Sequence, residues 1–346
     1  MPAFPAARGR EFAKPLPARA DKILIIHQGG IGDLLLALPA LRLLRRTFHS
    51  SRMDFLGIPE RLGLVAHDLG GGSVHTIHQP GLVCFYMDGE PLPPGLSAFF
   101  SSYDLAVVFA KAAGPLARNL KRAGLVGVLT LSPFPPEGSR IHAADYLLGQ
   151  LGMETVPEGL YRPLALPAEA EDWAGGFRER SGLKDGRCLV MHPGSGSRAK
   201  NWPAQSFSRV ADWAALRGEV LLISGPAGDQ LEETLRGMKG RWPKIAVRLS
   251  LIHLAAVLKG CTAYIGNDSG ITHLAALVGL PTVAVFGPTS PEAWAPRGPG
   301  VHILSSPAAC RPCGAERRSQ CPRSCLADLQ PDRAISLLAP FLTDSK

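Results

Sequence analysis

Short apolar runs alternate with helix-length segments along this chain, and the alternation occurs twice. Runs of this kind, bounded by Gly, Pro or polar residues, are typical of parallel strands buried on both faces. A strand followed by a helix and then another strand predicts a doubly wound parallel sheet. At 346 residues the chain is long enough for two such domains, each with its own core. The repetition therefore predicts an α/β protein with two domains.

The expected elements follow from these runs. In the first half we predict strands at Lys22–His27, Arg52–Ile58, Tyr103–Ala110 and Gly124–Thr130, with an amphipathic helix over Leu34–Phe48. In the second half we predict strands at Arg187–His192, Glu219–Ser224, Lys244–Leu249, Ala263–Gly266 and Thr282–Phe286, separated by helices. The segment Met153–Glu169 contains three prolines and is interpreted as a linker. We expect one domain over 21–160, a second over 161–330 and a terminal helix within 331–346.

Composition narrows the class of protein. Residues 1–20 are rich in Pro, Ala and Arg and lack the apolar segment of a signal peptide, so we expect a disordered leader and a cytoplasmic location. No apolar run approaches the roughly 20 residues of a membrane span. The net charge of +8 suits an anionic ligand or contact with anionic lipid at the inner membrane, although solubility alone is an equal alternative. The sequence contains no block of like charges of the kind that is typical of a nucleic-acid-binding arm.

The loop Gly29-Gly30-Ile31-Gly32-Asp33 follows the first predicted strand and opens the first helix. Its glycines permit a tight turn and a close approach of backbone amides to a ligand. A dinucleotide fingerprint fails here, because the third glycine would fall at Leu35. Asp33 has two interpretations: a helix cap, or a general base that deprotonates an attacking hydroxyl.

Three loops of the second half carry further candidates. Ser195 and Gly196 follow a strand in a small-residue loop that could fold around a phosphate or sugar, and Lys200 would supply positive charge to a departing diphosphate. The alternative is a surface turn before a helix. Asp229 could bond a ribose or base, or could cap the next helix.

The most informative segment is Gly266-Asn267-Asp268-Ser269-Gly270-Ile271-Thr272-His273, in which a strand turns into a helix. Free amides, hydroxyls and the positive end of the helix dipole meet in such a first turn, an arrangement suited to a pyrophosphate. Asp268 would repel phosphate, so we expect it to bind sugar hydroxyls or to orient Lys200.

Four blocks in this order resemble glycosyltransferase family 9, the lipopolysaccharide heptosyltransferases, over about Lys22 to Leu338. The blocks are Gly-Ile-Gly-Asp-Leu with Leu-Pro-Ala-Leu-Arg (30–42), His-Pro-Gly-Ser-Gly with Lys-Asn-Trp-Pro (192–203), Ser-Gly-Pro-Ala-Gly-Asp (224–229) and Gly-Asn-Asp-Ser-Gly-Ile-Thr-His (266–273). The resemblance implies a GT-B fold, with two Rossmann-like domains facing a central cleft and a terminal helix that packs back on the first domain.

The resemblance also implies an enzyme that moves heptose from ADP-heptose to a lipopolysaccharide core or related glycolipid, with inversion and without a metal ion. It assigns Asp33 as the base and Lys200 as the residue facing the leaving group. It assigns Asp268, Ser269, Gly270 and His273 to the donor, and Asp229 with them by a looser match.

The chain departs from the family at the end of its first strand, where His27 and Gln28 replace the usual basic and serine residues. Acceptor contacts from Gly29 and Gly30 therefore differ from the family pattern. His142 is a further acceptor-side candidate, with helix capping or packing as its alternative.

Four of the seven cysteines cluster as Cys310-x2-Cys313-x7-Cys321-x3-Cys325. This spacing fits a tetrahedral structural zinc, while reduced thiols and disulfides stay open as alternatives. Three other functions also stay open: a GT-B enzyme with another donor or an epimerase, a non-catalytic sugar-nucleotide or glycan-binding protein, and a zinc-dependent nucleic-acid module. We expect no nucleic-acid partner and no cofactor needed for catalysis.

Overall fold

The protein is described by a computed structural model over residues 16–111, 114–157, 159–183, 187–225, 230–306, 313 and 324–342. The chain divides into two compact units, Met1–Arg162 and Pro163–Lys346. The division falls inside the proline-containing segment that we interpreted as a linker. Asp229, Cys310 and Cys321 lie outside the described residues, as do most of the predicted leader residues.

The first unit is a five-stranded parallel sheet with helices between its strands. Its strands are β1 (Lys22–His27), β2 (Arg52–Gly57), β3 (Val74–Thr76), β4 (Leu105–Phe109) and β5 (Gly127–Leu131), in the order β3-β2-β1-β4-β5. Its helices are α1 (Ile31–Thr47), α2 (Pro59–Ala66), the 3₁₀ helix Leu82–Tyr86, α3 (Pro94–Ser101), α4 (Pro115–Arg122) and α5 (Ala143–Gln150).

The central strands of this sheet are apolar because both faces are covered. Ile23, Leu24, Ile25 and Ile26 of β1 are all buried, which is the pattern expected of a parallel strand between two helical layers. Helix α1 follows directly and buries most of its length. Strands are added on one side of β1 up to β3 and on its other side from β4 onward, so the loop after β1 lies at the switch point where open α/β sheets bind ligands.

The second unit is a six-stranded parallel sheet. Its strands are β6 (Cys188–His192), β7 (Glu219–Ser224), β8 (Lys244–Val247), β9 (Ala263–Asn267), β10 (Thr282–Phe286) and β11 (Val301–Ser305), in the order β11-β10-β9-β6-β7-β8. Its helices are α6 (Ala168–Arg180), the 3₁₀ helix Arg198–Lys200, α7 (Ala204–Ala215), α8 (Leu231–Gly237), α9 (Leu251–Lys259), α10 (Gly270–Leu277), α11 (Pro291–Trp294), α12 (Ser324–Ala327) and α13 (Pro331–Leu342). The switch point lies between β6 and β9, where His192 is in register with Gly266.

Both sheets confirm the predicted doubly wound α/β class. Three predicted strands differ from their predicted bounds by two residues or more: Tyr103–Ala110 is reduced to β4, Gly124–Thr130 begins only at Gly127, and Lys244–Leu249 ends at Val247. The second difference has a local cause, because Gly124 takes a left-handed φ of 95° after α4 and Leu125 packs into the core before the strand starts. The edge strands β3 and β11 escaped prediction.

The terminal helix α13 packs on the second unit, and its buried side chains belong to the core of that unit. Its predicted packing on the first domain stays a prediction. Ala334, Leu338 and Leu342 join a cluster with residues of the second sheet and α7. The helix repeats its apolar residues at intervals of four, so it covers its own sheet with one continuous stripe.

A cluster of three charged residues, Arg42, Asp68 and Arg162, links the end of the first unit to α1. Asp68 accepts hydrogen bonds from Arg42 at 2.8 and 2.9 Å and from Arg162 at 2.7 Å, and its side chain is fully buried. Arg42 also donates to the carbonyls of Leu160 and Arg162 at 2.8 and 2.7 Å. The last residues of the first unit are thereby fixed to α1. Among the helices that the structure describes, none has the length and hydrophobicity that crossing a bilayer requires.

Candidate functional site

Two loops at the switch point of the second sheet are joined by one buried amide. The side chain of Asn267, at the end of β9, accepts a hydrogen bond from the Trp202 backbone at 2.8 Å and donates to the Pro193 carbonyl at 2.7 Å. Asn267 is completely buried. The loop after β6 and the loop after β9 are therefore held together as one polar surface.

Lys200 and Asp268 form an ion pair on this surface, with 2.7 Å between Nζ and Oδ2. The carboxylate is further fixed by the Thr289 hydroxyl, which donates to it at 2.6 Å, and by its own backbone amide, which bonds Val285 at 2.9 Å. The Lys200 side chain is 27% exposed, whereas that of Asp268 is 7% exposed. Of the two expectations for Asp268, the structure shows the contact that orients Lys200.

The N-terminus of α10 lies directly beside this pair. The Ser269 hydroxyl is 3.1 Å from the Thr272 hydroxyl and 3.4 Å from Nδ1 of His192, and Thr272 in turn contacts the buried Tyr264 hydroxyl at 3.1 Å. The first amides of a helix have no partner inside the helix, so α10 presents them with the positive end of its dipole. This turn can receive an anion.

His273 lies in the first turn of α10 and is buried. Burial, opposed by the charge of Asp268 and assisted by the charge of Lys200, lowers the pKa of His273 to about 4. The imidazole is therefore neutral at physiological pH, and it adds no positive charge to the surface beside Lys200.

The small-residue loop after β6 has two kinds of position. Ser195 is buried, and its hydroxyl lies 2.6 Å from Oδ1 of Asn201 and 2.7 Å from the Ser197 carbonyl, so it holds the loop together. Gly196 is exposed, and a Cβ added there would meet no atom within 4 Å. The predicted donor role of Asp229 falls outside the described residues.

In the first unit, Asp33 is the third residue of α1, and its Oδ2 accepts a hydrogen bond from the Gly30 amide at 2.9 Å. Gly30 is the N-cap residue of α1, and Asp33 stabilises the first turn by accepting a hydrogen bond from the Gly30 backbone amide. The capping interpretation of Asp33 thus has a direct contact. The same contact fixes the carboxylate at the switch point of the first sheet, as a base would require.

Gly29 is packed against this carboxylate. A Cβ at Gly29 would lie 3.0 Å from Oδ2 of Asp33 and 2.9 Å from the ring of His27. The Gly29 carbonyl accepts a hydrogen bond from Arg61 of α2 at 2.9 Å. Burial, and secondarily the charge of Arg61, lower the pKa of His27 to about 4. A neutral histidine, a glycine and an arginine therefore surround Asp33 and its loop.

His142 is the N-cap of α5, where its Nδ1 accepts a hydrogen bond from the Ala144 amide at 3.3 Å, and it is buried. The structure therefore shows the capping contact for this residue.

The zinc prediction involves four cysteines, of which Cys313 and Cys325 are described and buried. Across the described part of the chain, no group of three or more His, Cys, Asp or Glu side chains is arranged to hold a metal ion. Because Cys310 and Cys321 lie outside the described residues, structural zinc stays a prediction of the sequence.

Three residues of these surfaces were not among the sequence candidates. Asn267 lies within the block Gly266 to His273 but had no predicted role of its own. An amide side chain in a turn between a strand and a helix is a signal that could have identified it. Thr289 and Arg61 carry no such signal, because each reaches its partner through tertiary packing from another loop or helix.

Comparisons with known proteins agree with this arrangement. The profile of the family described as Glycosyltransferase family 9 (heptosyltransferase) matches residues 157–326. A lipooligosaccharide heptosyltransferase 2 from Haemophilus influenzae is 28% identical over 134 residues, covering 36% of this chain and 39% of that protein. The chain spans 39%, 54% and 54% of the length of the first three curated relatives it matches.

Two solved structures share the fold. A glycosyltransferase family 9 protein from Veillonella parvula superposes with a TM-score of 0.73 at 20% identity, covering 95% of this chain and 99% of the other. The Escherichia coli ADP-heptose lipopolysaccharide heptosyltransferase II gives 0.69 at 18% identity, covering 93% and 98%. These likenesses and the two parallel sheets confirm the predicted GT-B class with two Rossmann-like domains.

Proposed function

We propose that this chain, whose residues 157–326 match the profile of glycosyltransferase family 9, is a heptosyltransferase that moves heptose from ADP-heptose to a lipopolysaccharide core acceptor. The proposed reaction inverts the anomeric centre and uses no metal ion. One observation carries the proposal: a partly exposed lysine, Lys200, is fixed by the buried carboxylate of Asp268 beside the N-terminus of α10.

This arrangement has the chemistry that a sugar diphosphate requires. An ammonium group has three N–H donors, so Lys200 can bond Asp268 and still donate to phosphate oxygens. The first amides of α10 and the Ser269 hydroxyl add donors on the same surface. Asp268 is buried and carries a negative charge that repels phosphate, so its proposed role is to position Lys200.

Negative charge appears on the diphosphate as the bond to the anomeric carbon breaks. Donors that are already fixed where this charge develops lower the barrier, because they need not reorganise during the reaction. Lys200 and the amides of α10 supply this positive charge in our proposal, and a metal ion has no step to perform.

Asp33 is the proposed base for the acceptor. Its carboxylate takes the proton of the acceptor hydroxyl while the hydroxyl oxygen forms the new bond to the anomeric carbon. The old bond to the diphosphate breaks with its electron pair, and ADP leaves. The contact between the Gly30 amide and Oδ2 supports this role, because it holds the carboxylate in place.

Calorimetric binding of ADP, UDP, GDP and CDP in the presence of EDTA tests the proposal. We expect a clear preference for ADP that is weakened in Lys200→Gln and in Asp268→Asn, followed by ADP-heptose turnover with a heptose-deficient core acceptor. A preference for UDP or GDP would discard heptose as the sugar while keeping a glycosyltransferase. Absence of nucleotide binding in the folded protein would overturn the proposal.

A further inference from the structure

Apolar side chains are exposed on one side of the first unit. In the part of this unit that the structure describes, four large apolar residues are exposed: Val83 at 63%, Tyr86 at 37%, Met87 at 46% and Val126 at 87%. Three of them fall within five residues, and we call Val83, Tyr86 and Met87 the apolar patch. Single exposed apolar residues are ordinary on a protein surface. Three that lie close together in the chain indicate a site that binds another protein or a membrane.

The apolar patch is held rigidly by its local conformation. A 3₁₀ helix has three residues per turn, so Leu82 and Phe85 share one face while Val83 and Tyr86 share another. Leu82 and Phe85 are buried in the core of the first unit. The segment is therefore anchored by its inner face and directs the apolar patch outward.

Helix α4 fixes the same segment from the side. The amide of Asn119, which is itself buried, donates to the carbonyls of Phe85 at 3.1 Å and Met87 at 2.7 Å. An isolated 3₁₀ turn has weak internal hydrogen bonds. The hydrogen bonds from Asn119 therefore hold the backbone of this segment in place against α4.

Basic residues adjoin the apolar patch. Helix α4 carries Arg118, Lys121 and Arg122 on its exposed side, and Arg118 pairs with Asp88 at 2.8 Å. Glu90 is the other acidic residue of the neighbouring segment and is half-buried. Apolar and aromatic side chains beside lysine and arginine match a bilayer surface that contains anionic lipid.

The apolar patch is also bonded to the loop that carries Asp33. The amide of Gln28, in the loop after β1, donates a hydrogen bond to the Tyr86 hydroxyl. Whatever binds the apolar patch thereby lies beside this loop.

We propose that the apolar patch and the basic side of α4 dock on an anionic lipid surface and so bring the Asp33 loop to a membrane-embedded glycolipid. The docking stands on the geometry, while its purpose rests on the proposed function. Val83 and Met87 would enter the region between headgroups and acyl chains, with Tyr86 at the interface and Lys121 and Arg122 on lipid phosphates.

Flotation with vesicles of phosphatidylethanolamine and phosphatidylglycerol tests the docking, with phosphatidylcholine vesicles as the neutral comparison. We expect the protein to float with the anionic vesicles at about 0.1 M salt and to be released at high salt. The double variant Val83→Asp, Met87→Asp should lose at least about tenfold in bound fraction, because two apolar side chains no longer enter the interface.

The matched control is Leu216→Asp, which changes a more exposed apolar residue (84%) of the second unit. This variant should float like the parent protein. Val83→Trp should bind vesicles more tightly, and it keeps the test valid if the aspartate variant misfolds. Equal flotation of all three variants, or failure of the parent protein to bind anionic vesicles, would overturn the inference and leave a protein partner as the occupant.

Transfer to a water-soluble, delipidated acceptor separates the two proposals. The double variant should transfer to this acceptor at the parent rate, because neither changed residue belongs to the proposed site. Vesicle binding without any transfer by the parent protein would overturn the proposed function alone. Transfer without vesicle binding would overturn the docking alone.

Discussion

Nζ of Lys200 lies 2.7 Å from Oδ2 of Asp268, at the switch point between β6 and β9. The lysine is partly exposed and the carboxylate is not, so the pair has one side that solvent or a ligand can reach. Lys200 lies in the loop after β6, and Asp268 lies directly after β9. These two strands are parallel neighbours in the second sheet, so the loops at their carboxyl ends lie side by side.

The first prediction concerns the charge of Lys200. Lys200→Gln should lower transfer by about a hundredfold or more, because the developing diphosphate charge loses a fixed donor. Lys259→Gln removes an equal charge from an exposed ion pair with Glu171 and should leave transfer unchanged. Steady-state kinetics with ADP-heptose measures both, and equal rates in the two variants would refute the role of Lys200.

The second prediction separates the two interpretations of Asp33. Asp33→Asn keeps an oxygen that can accept from the Gly30 amide but cannot take a proton. We expect transfer to fall by about a hundredfold or more while ADP binding stays at the parent affinity. Asp33→Ala should in addition lose about 1 kcal/mol of stability, since the first turn of α1 loses its acceptor. Parent-level transfer by Asp33→Asn would leave Asp33 as a capping residue only.

The third prediction compares two glycines. Gly29→Ala should displace the Asp33 carboxylate, because the added Cβ would lie 3.0 Å from Oδ2. Transfer should fall while the protein stays folded. Gly196→Ala should have little effect, because its Cβ would meet no atom within 4 Å. The two variants are compared by transfer rate and circular dichroism, and a stronger loss in Gly196→Ala would contradict the steric account.

The fourth prediction concerns stability. Arg42→Ala leaves the carboxylate of Asp68 buried without its main partner, and such changes cost about 3–5 kcal/mol. Arg236→Ala breaks an exposed pair with Glu232 and should cost no more than about 1 kcal/mol. Urea unfolding followed by circular dichroism measures the difference, and a similar midpoint for both variants would contradict it.

The fifth prediction concerns pH. Burial lowers the pKa of His27 and His273 to about 4, from the ordinary 6.5. The unfolded chain therefore binds protons that the folded chain does not, and stability is lost as the pH falls from about 6.5 towards 4. Each histidine contributes at most about 1.4 kcal/mol per pH unit in this window.

Urea unfolding between pH 7 and pH 5 checks this dependence. His27→Gln and His273→Gln should each flatten the slope of stability against pH, whatever their effect on stability itself. His49→Gln changes an exposed histidine and serves as the control. Unaltered slopes in both buried variants would show that folding does not lower the pKa of these two histidines.

Much of the fold is readable from the sequence, because parallel strands buried on both faces leave continuous apolar runs. Strands β1, β6, β7 and β10 lie at or within one residue of their predicted ranges. The edge strands β3 and β11 escaped because they leave no buried apolar run: β3 has three partly buried residues, and β11 fully buries only Leu304. The sequence could not show which sheet covers α13, because amphipathicity indicates only which face of a helix is buried.

The residues of the candidate site also fall into those that the sequence could identify and those that only the structure shows. The loops that carry Asp33, Lys200 and Asp268 could be found because turns between strands and helices leave a recognisable pattern. Thr289 and Arg61 could not be found, since only tertiary packing brings them to Asp268 and Gly29. The roles of the sequence candidates at these positions stay predictions for the experiments above.

The Arg42–Asp68–Arg162 cluster has a practical consequence for recombining this protein with relatives. A chimera joined after Arg162 inherits all three charges from one parent, together with the carbonyls of Leu160 and Arg162 that Arg42 bonds. A junction placed ten residues earlier would pair Asp68 with a foreign segment and risk a buried carboxylate with incomplete neutralisation. Exchange of the second unit should therefore succeed with a junction after Arg162 and fail with one that separates Arg162 from Asp68.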